Sequence, residues 1–267
     1  MRITTCNVNG IRAAERKGFL PWLAKAAPDV LCLQETKAQV AQLNACLTAP
    51  DGYHAFYCDA EKKGYSGVAV WSRQTPDRVI RGLGWPDFDA EGRYLQVDFG
   101  KLSVVSLYLP SGTTGDVRQQ VKFEVLDRFA ETLNAYRRKR REFVICGDFN
   151  IAHKQIDIRN WRSNQKSSGF LPEERAWLDH VFDDLGYVDA FREINAEPDQ
   201  YTWWSNRANA WANNVGWRID YQVLSPRLAG SVRAAEIYRG EKFSDHAPLT
   251  IDYDFGALEP ALSASHI

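Results

Sequence analysis

Asp148 and Asn150 close an apolar run, Phe143-Val144-Ile145-Cys146-Gly147, and stand two residues apart. On an extended segment that spacing turns both side chains to one face, where an acid and an amide can hold and deprotonate one water. An Asx turn ending the strand accounts for the same pair. Glu35 ends a second apolar run, Val30-Leu31-Cys32-Leu33-Gln34, and would carry its carboxylate at a strand tip. A cation that keeps most of its waters needs only one or two protein carboxylates, so Glu35 is a metal-ligand candidate; a capping or surface acid is the alternative. Ser244-Asp245-His246-Ala247-Pro248 sets an acid beside a histidine. Histidine can exchange a proton near neutral pH or stabilise a phosphate oxygen. Strand neighbours face opposite ways, so a distant carboxylate must orient His246, and Asp220 is the candidate. With Asn7, these residues offer hard oxygen donors and one imidazole, which suits a divalent metal acting on a phosphate ester.

Positive and aromatic residues near these strand ends are candidates for phosphate contact. Arg12, Arg16 and Lys17 follow Asn9-Gly10, Lys37 follows Glu35, and Tyr65 and Arg93 fall in polar loops. Contacts of this kind position a duplex without reading its sequence. The run Arg137-Arg138-Lys139-Arg140-Arg141 is more conspicuous. It precedes the strand whose far end carries Asp148, which puts it about 20 Å from the site at ~3.3 Å per residue. A solvated helix end is the better reading of it.

The elements that must position these groups alternate along the chain. Apolar runs over 3–8, 30–34, 67–71, 94–99, 102–109, 143–146, 219–224 and 249–253 read as strands. Several are joined by short turns, which implies antiparallel hairpins rather than a purely parallel sheet. Leu126, Phe129, Ala130, Leu133 and Tyr136 recur at helical spacing. A second helix opens at Leu171-Pro172-Glu173-Glu174 and runs to Leu185, with Gly186 as its cap. Two groups of strands with covering helices predict a layered α-β-β-α sandwich of the α/β class. Cys6-Asn7-Val8-Asn9 and Asp148-Phe149-Asn150 both end a strand in an amide, a faint sign of duplicated sheets.

Composition excludes more than it selects. The chain of 267 residues is 45% hydrophobic and 25% charged, with net charge −1. Binding to a polyanion must therefore come from a local patch and a bound cation. Five cysteines without a CxxC pair fit a reducing compartment. The opening Met1-Arg2-Ile3-Thr4-Thr5 is too polar for a signal peptide, and no apolar run reaches the ~18 residues of a membrane span. A cytoplasmic monomer with no membrane contact is expected.

Six stretches carry a resemblance to a known family. They are Asn7-Val8-Asn9-Gly10, Leu33-Gln34-Glu35-Thr36-Lys37, Gly64-Tyr65-Ser66-Gly67-Val68, Gly147-Asp148-Phe149-Asn150, Trp217-Arg218-Ile219-Asp220-Tyr221 and Ser244-Asp245-His246-Ala247-Pro248. In this order they resemble exonuclease III and the abasic-site endonucleases of the endonuclease/exonuclease/phosphatase superfamily. The resemblance covers residues 1–255 and implies one domain built on two mixed, mainly antiparallel sheets; residues 256–267 show no periodicity and read as a flexible tail. It implies Glu35 as the main Mg²⁺ ligand, with Mn²⁺ as a substitute metal and Asn7 and Asp245 nearby. Asp148 would activate or position the attacking water and Asn150 orient it. His246, paired with Asp220, would contact the scissile phosphate, as would Tyr108. Trp203, Trp217 and Ile219 would line a pocket for an abasic sugar, in double-stranded DNA with abasic sites or blocked 3′ ends. Ser111 stands where some relatives carry an amide, and loop 111–118 lacks an arginine near its start. Two other readings are a phosphoesterase of lipid or inositol headgroups and a non-catalytic binding protein.

Overall fold

The computed structural model describes residues 1–256. The rest of the expected flexible tail lies outside the described residues. In chain order the strands are β1 (Arg2–Asn7), β2 (Val30–Gln34), β3 (His54–Cys58), β4 (Val68–Ser72), β5 (Arg78–Arg81), β6 (Tyr94–Phe99) and β7 (Leu102–Tyr108). They continue as β8 (Glu142–Asp148), β9 (Val188–Asp189), β10 (Trp203–Trp204), β11 (Gly216–Trp217), β12 (Asp220–Leu224), β13 (Val232–Ile237) and β14 (Leu249–Tyr253). One six-stranded sheet runs β13-β14-β1-β2-β4-β3 and the other β9-β12-β8-β7-β6-β5, with β10 and β11 as a separate ribbon.

Read in those orders, the sheets repeat one pattern of directions. Each has a single parallel pair, β1 with β2 and β7 with β8, flanked on both sides by antiparallel pairs. Asn7 ends β1 and Asp148 ends β8, the equivalent strands of the two sheets. The faint likeness in sequence thus has a counterpart in topology.

The sheets pack face to face. Val30, Cys32, Val68 and Val70 of the first meet Leu95, Val97, Val104, Val144 and Cys146 of the second. Residues of opposite parity face outward. Leu31, Leu33, Ala69 and Trp71 are covered by Phe19, Trp22 and Leu23 from the helix Phe19–Ala26. Val105, Leu107, Phe143 and Ile145 are covered by Val125, Leu126, Phe129 and Leu133 from the helix Asp116–Arg137. Burial on both faces is why these strands read as continuous apolar runs rather than alternating ones. The result is the expected four-layer α-β-β-α sandwich. No helix among the described residues is long and apolar enough to cross a membrane.

Polar staples fix how far one sheet slides on the other. Gln34 Nε2 in β2 donates to Ser106 Oγ in β7 at 2.9 Å, and Ser106 Oγ donates back to Leu33 O at 2.9 Å. Gln222 Nε2 in β12 donates to Ile3 O and Leu249 O of the other sheet, both at 3.0 Å. Each such bond contributes only about 1 kcal/mol net, but a slipped sheet would leave its partners buried and unpaired at a higher cost. The registration matters because the site takes residues from both sheets.

Six strands escape the sequence pattern: β9, β10 and β11 are only two residues long, too short to show a period. β3, β5 and β13 are edge or outer strands with partly exposed, mixed polar faces. The second predicted helix begins at Pro172 as expected, runs as Pro172–Asp179, and continues through one π-helical turn, His180–Asp184. Gly186 then takes a left-handed φ of 70°.

Candidate active site

The site forms where the carboxyl ends of β1, β2, β7 and β8 meet the start of β12 and the segment before β14. Asn7 is fully buried at the end of β1. Its Nδ2 donates to Glu35 Oε1 at 2.8 Å and to Asp148 Oδ2 at 2.9 Å. Its Oδ1 accepts the Asn9 N–H at 2.9 Å. The amide oxygen is therefore turned to Asn9 and the amide nitrogen to the two carboxylates.

Glu35 follows β2 with a left-handed φ of 52° and Lys37 has 49°, conformations that cost a non-glycine residue roughly 1–2 kcal/mol. The turn brings the Lys37 ammonium to 2.6 Å from Glu35 Oε2. Burial alone would raise the Glu35 carboxyl; Lys37 and the Asn7 amide outweigh it and hold the group below the usual carboxylate range. Lys37 also donates to Asn9 Oδ1 at 2.5 Å, and Asn9 Nδ2 donates to Asp245 Oδ1 at 2.9 Å. Asn9 thus links Glu35's partner to Asp245. The Asn-Val-Asn-Gly stretch contains it, but its bond to Asp245 spans 236 residues and leaves no local mark.

Asp148 and Asn150 come together by a route other than extended spacing. Asp148 ends β8, and Asn150 sits at a left-handed φ of 53° with its N–H on Asp148 Oδ1 at 2.8 Å. That is the Asx turn, the alternative reading of the pair. The Asn150 side chain donates through Nδ2 to Leu109 O at 2.9 Å. Both residues face the same cleft. Asp148 is pushed up to about 7, first by burial and then by Asp220, with His246 opposing.

Asp220 and Asp148 are cross-strand partners in β12 and β8. His246 Nδ1 lies 2.9 Å from Asp220 Oδ2, and its Nε2 lies 3.9 Å from Asp148 Oδ2. Burial would lower the imidazole, but Asp220 more than offsets that and raises it to about 10. Asp220 thus favours the protonated ring, with Nε2 turned towards the Asp148 side of the site.

Tyr108 ends β7 and lines the cleft. Burial, then the nearby Glu35 carboxylate, raises its hydroxyl well above its ordinary value, so it is a neutral O–H donor. Arg93 corrects its sequence reading. It is only 2% exposed and cannot lie on a phosphate backbone. Its guanidinium stacks 4.4 Å over the Tyr108 ring and donates to Tyr108 O at 3.0 Å, to Glu91 Oε2 at 2.5 Å and to Tyr65 Oη at 3.1 Å. Arg118 completes the cluster, bound to both Glu91 oxygens and donating to Tyr65 Oη at 2.9 Å. Arg93 and Arg118 therefore hold Tyr65 and Tyr108 in place. An arginine in a polar loop carries no sequence mark of such burial.

These groups open into a cleft of about 830 Å³ lined by Glu35, Tyr108, Asp148, Asn150, Asp245 and His246 together with Trp203, Trp217 and Ile219. The indoles of Trp203 and Trp217 meet edge to face, with centroids 6.1 Å apart. Trp203 Nε1 donates to Asp245 Oδ2 at 3.2 Å, tying the aromatic wall to the acidic end. Lys17 faces a smaller crevice with Asn206 and Lys242 that opens beside Asp245. Arg12 and Arg16 are exposed on the helix Ile11–Arg16. Arg137, Arg138, Lys139 and Arg140 are exposed before the amino end of β8, with the whole strand between them and Asp148.

The donor chemistry fits one hard divalent cation. A Glu35 oxygen, an Asp148 oxygen and a His246 nitrogen lie within 4.8 Å of one another. The protonated imidazole repels a cation, which leaves carboxylate oxygens, the donors such an ion prefers. Asp245, also held below the ordinary range by His246 and Asn9 against the effect of burial, adds a third acid at the cleft.

A phosphoesterase-type sandwich with acids, an Asp-held imidazolium and a hard-cation position is the class that fold and site define. The chain belongs to the Endonuclease/Exonuclease/phosphatase family, whose model matches residues 4–246. It is 38% identical over 257 residues to an exodeoxyribonuclease of Bacillus subtilis, covering 94% of this chain and 98% of that protein. It is 39% identical over 256 residues to the DNA repair nuclease APEX1 of Danio rerio, covering 94% and 81%. A solved AP endonuclease from Archaeoglobus fulgidus superposes with a TM-score of 0.84 at 29% identity, covering 95% and 99%. The chain is accordingly a hydrolytic nuclease of the DNA-repair type.

Proposed function

We propose that this chain is a Mg²⁺-dependent nuclease of double-stranded DNA that hydrolyses the phosphodiester 5′ to abasic sites and trims blocked 3′ ends. The observation that carries the reading is the buried Asp148 carboxylate, held by Asn7 and Asn150, beside the His246 imidazolium and an aromatic wall. Asp148 takes a proton from water as the water oxygen attacks phosphorus. Its raised value suits a base working near neutrality. His246 and the Tyr108 hydroxyl donate to the non-bridging oxygens, where negative charge grows. The bond from phosphorus to the 3′ oxygen breaks, leaving a 3′ hydroxyl once that oxygen is protonated from solvent. Glu35, with Asp245 beside it, would hold Mg²⁺, which would supply Lewis-acid stabilisation of the phosphate charge; Mn²⁺ can substitute.

Trp203, Trp217 and Ile219 suit a sugar that carries no base. Such a nucleotide costs little stacking energy to extrude, and an indole-walled pocket excludes a base by volume. Lys17 beside the acidic end, Arg12 on the neighbouring exposed helix face, and Lys37 and Tyr65 would meet the phosphates that flank the cut. The test is a duplex carrying one abasic analogue, assayed with Mg²⁺ and with a chelator. Metal-dependent incision 5′ to the analogue is expected. Hydrolysis of inositol phosphates with an uncut duplex would overturn the reading, as would binding without cleavage of either.

A further inference from the structure

A buried ion pair lies directly behind the Asp148–Asn150 turn and does not touch the cleft. Lys122, on the helix Asp116–Arg137, and Glu174, in the first turn of the helix Pro172–Asp179, have side chains with no exposed surface. Lys122 Nζ lies 2.5 Å from Glu174 Oε1 and donates to Asn150 O at 2.8 Å. Glu174 Oε2 accepts the N–H groups of Gly169 at 2.6 Å and Leu171 at 3.0 Å. Gln119 Nε2 adds a contact to Oε1 at 3.1 Å. Gly169 in turn accepts the Ala152 N–H at 2.8 Å, and a Cβ at Gly169 would stand 3.0 Å from Asn150 O.

Such a pair is a poor device for stability alone. Desolvating two charges costs several kcal/mol, and apolar replacements of similar volume are often no worse. What it provides here is position. The left-handed turn at Asn150 must hold its N–H on Asp148 Oδ1 and its side chain at Leu109 O, and the carbonyl between them points at Lys122. The same pair fixes Gly169 and Leu171, which also line the cleft.

We propose that Lys122 and Glu174 are positioning residues for hydrolysis, setting the Asn150 peptide and through it the Asp148 carboxylate. The proposal rests on Asp148 as the group that handles the attacking water. A misplacement of about 1 Å at a reacting group can cost about a hundredfold in rate. Lys122→Met should therefore lower kcat by ~10–10²-fold while KM for abasic duplex stays within about threefold, since Lys122 does not line the cleft and Glu174 can still hold Gly169 and Leu171.

The decisive measurement is a double-mutant cycle of Lys122→Met and Glu174→Gln, read by kcat, KM and urea unfolding. Each single variant leaves a buried group without its partner and should lose stability. The double variant removes both charges, while the new amide oxygen still accepts from Gly169 and Leu171. Its stability should recover towards wild type, yet kcat should stay low because Asn150 O still lacks a donor. If kcat recovers along with stability, the pair is only structural and the proposal is overturned. Should Lys122→Met fail to fold, the double variant alone gives the same two readings. The wild-type control separates this from failure of the functional reading. A wild type inactive on abasic duplex but active on another phosphodiester transfers the same cycle to that substrate.

Discussion

Asn7 Nδ2 and Asp148 Oδ2, 2.9 Å apart, join the end of β1 in one sheet to the end of β8 in the other. The bond couples the acid expected to hold metal with the acid expected to handle water, because the same nitrogen also binds Glu35. Neither carboxylate is placed by its own strand alone. The site is a product of how the sheets register, and the Gln34–Ser106 and Gln222–Ile3 contacts maintain that registration.

Glu35→Gln should weaken Mg²⁺ binding by more than about tenfold, since loss of even an outer partner of a metal site costs 10–100-fold. Lys37, held 2.6 Å from Glu35 in the free protein, would lose its carboxylate as well. Calorimetric titration of the variant with Mg²⁺ reads this without any assay of activity. Unchanged affinity would remove Glu35 from the metal site.

Asp148→Asn should leave DNA affinity near that of wild type and reduce kcat by at least ~10²–10⁴, the usual contribution of a general base. The substitution keeps the size of the side chain and one of its two accepting oxygens but cannot take up a proton. Binding is measured in Ca²⁺ or chelator and turnover at saturating abasic duplex. Near-normal turnover would rule out the role.

Asp157 gives a stability prediction away from the chemistry. Burial would raise its carboxyl, but Arg218 and Arg192 overcome this and hold it at about 2. A folded value below the unfolded one means that the stabilisation is present above about pH 4 and is lost as pH falls towards 2. Wild type should lose about 2 kcal/mol more than Asp157→Asn between pH 5 and pH 2. Urea midpoints at the two pH values measure it, and parallel losses would contradict the assignment.

The basic run should not contribute to DNA binding. Arg138, Lys139 and Arg140 are exposed beyond the amino end of β8, about 20 Å of strand from Asp148 at ~3.3 Å per residue. Changing all three to Gln should leave the slope of log affinity against log salt almost unchanged. A fall near three, at about 0.9 per phosphate contact, would place DNA across this end of the molecule.

What could be read from the chain was whatever depends on neighbours in sequence. Buried strands announce themselves as apolar runs, and the parity argument that His246 needs a distant acid led to Asp220. What could not be read depends on three-dimensional assembly. Arg93 looks like a surface cation until Glu91, Tyr65 and the Tyr108 ring enclose it. Lys122 and Glu174 are 52 residues apart and meet only when their helices cover the same sheet. The left-handed backbone at Glu35 and Lys37 has no local signal, since neither residue type favours it. Edge strands β5 and β13 are half exposed, so their polar residues hide the period.

Trp217 tests the selection of substrate. Its indole stands edge to face with Trp203 and near the backbone of Gly169, where an added Cβ would meet it at 3.1 Å. It is half-buried at the cleft rather than enclosed in the core. Trp217→Ala should widen the pocket, so that a nucleotide still carrying its base is no longer excluded by volume. Loss of the aromatic face should also weaken abasic binding by ~1–3 kcal/mol, if contact with a sugar resembles base stacking in strength. Cleavage of abasic duplex should therefore fall while cleavage of intact duplex holds or rises. The ratio of kcat/KM on the two duplexes is the measurement, because a general loss of folded protein lowers both values and leaves the ratio alone. A ratio equal to that of wild type would make Trp217 a packing residue and move the discrimination to other walls of the cleft.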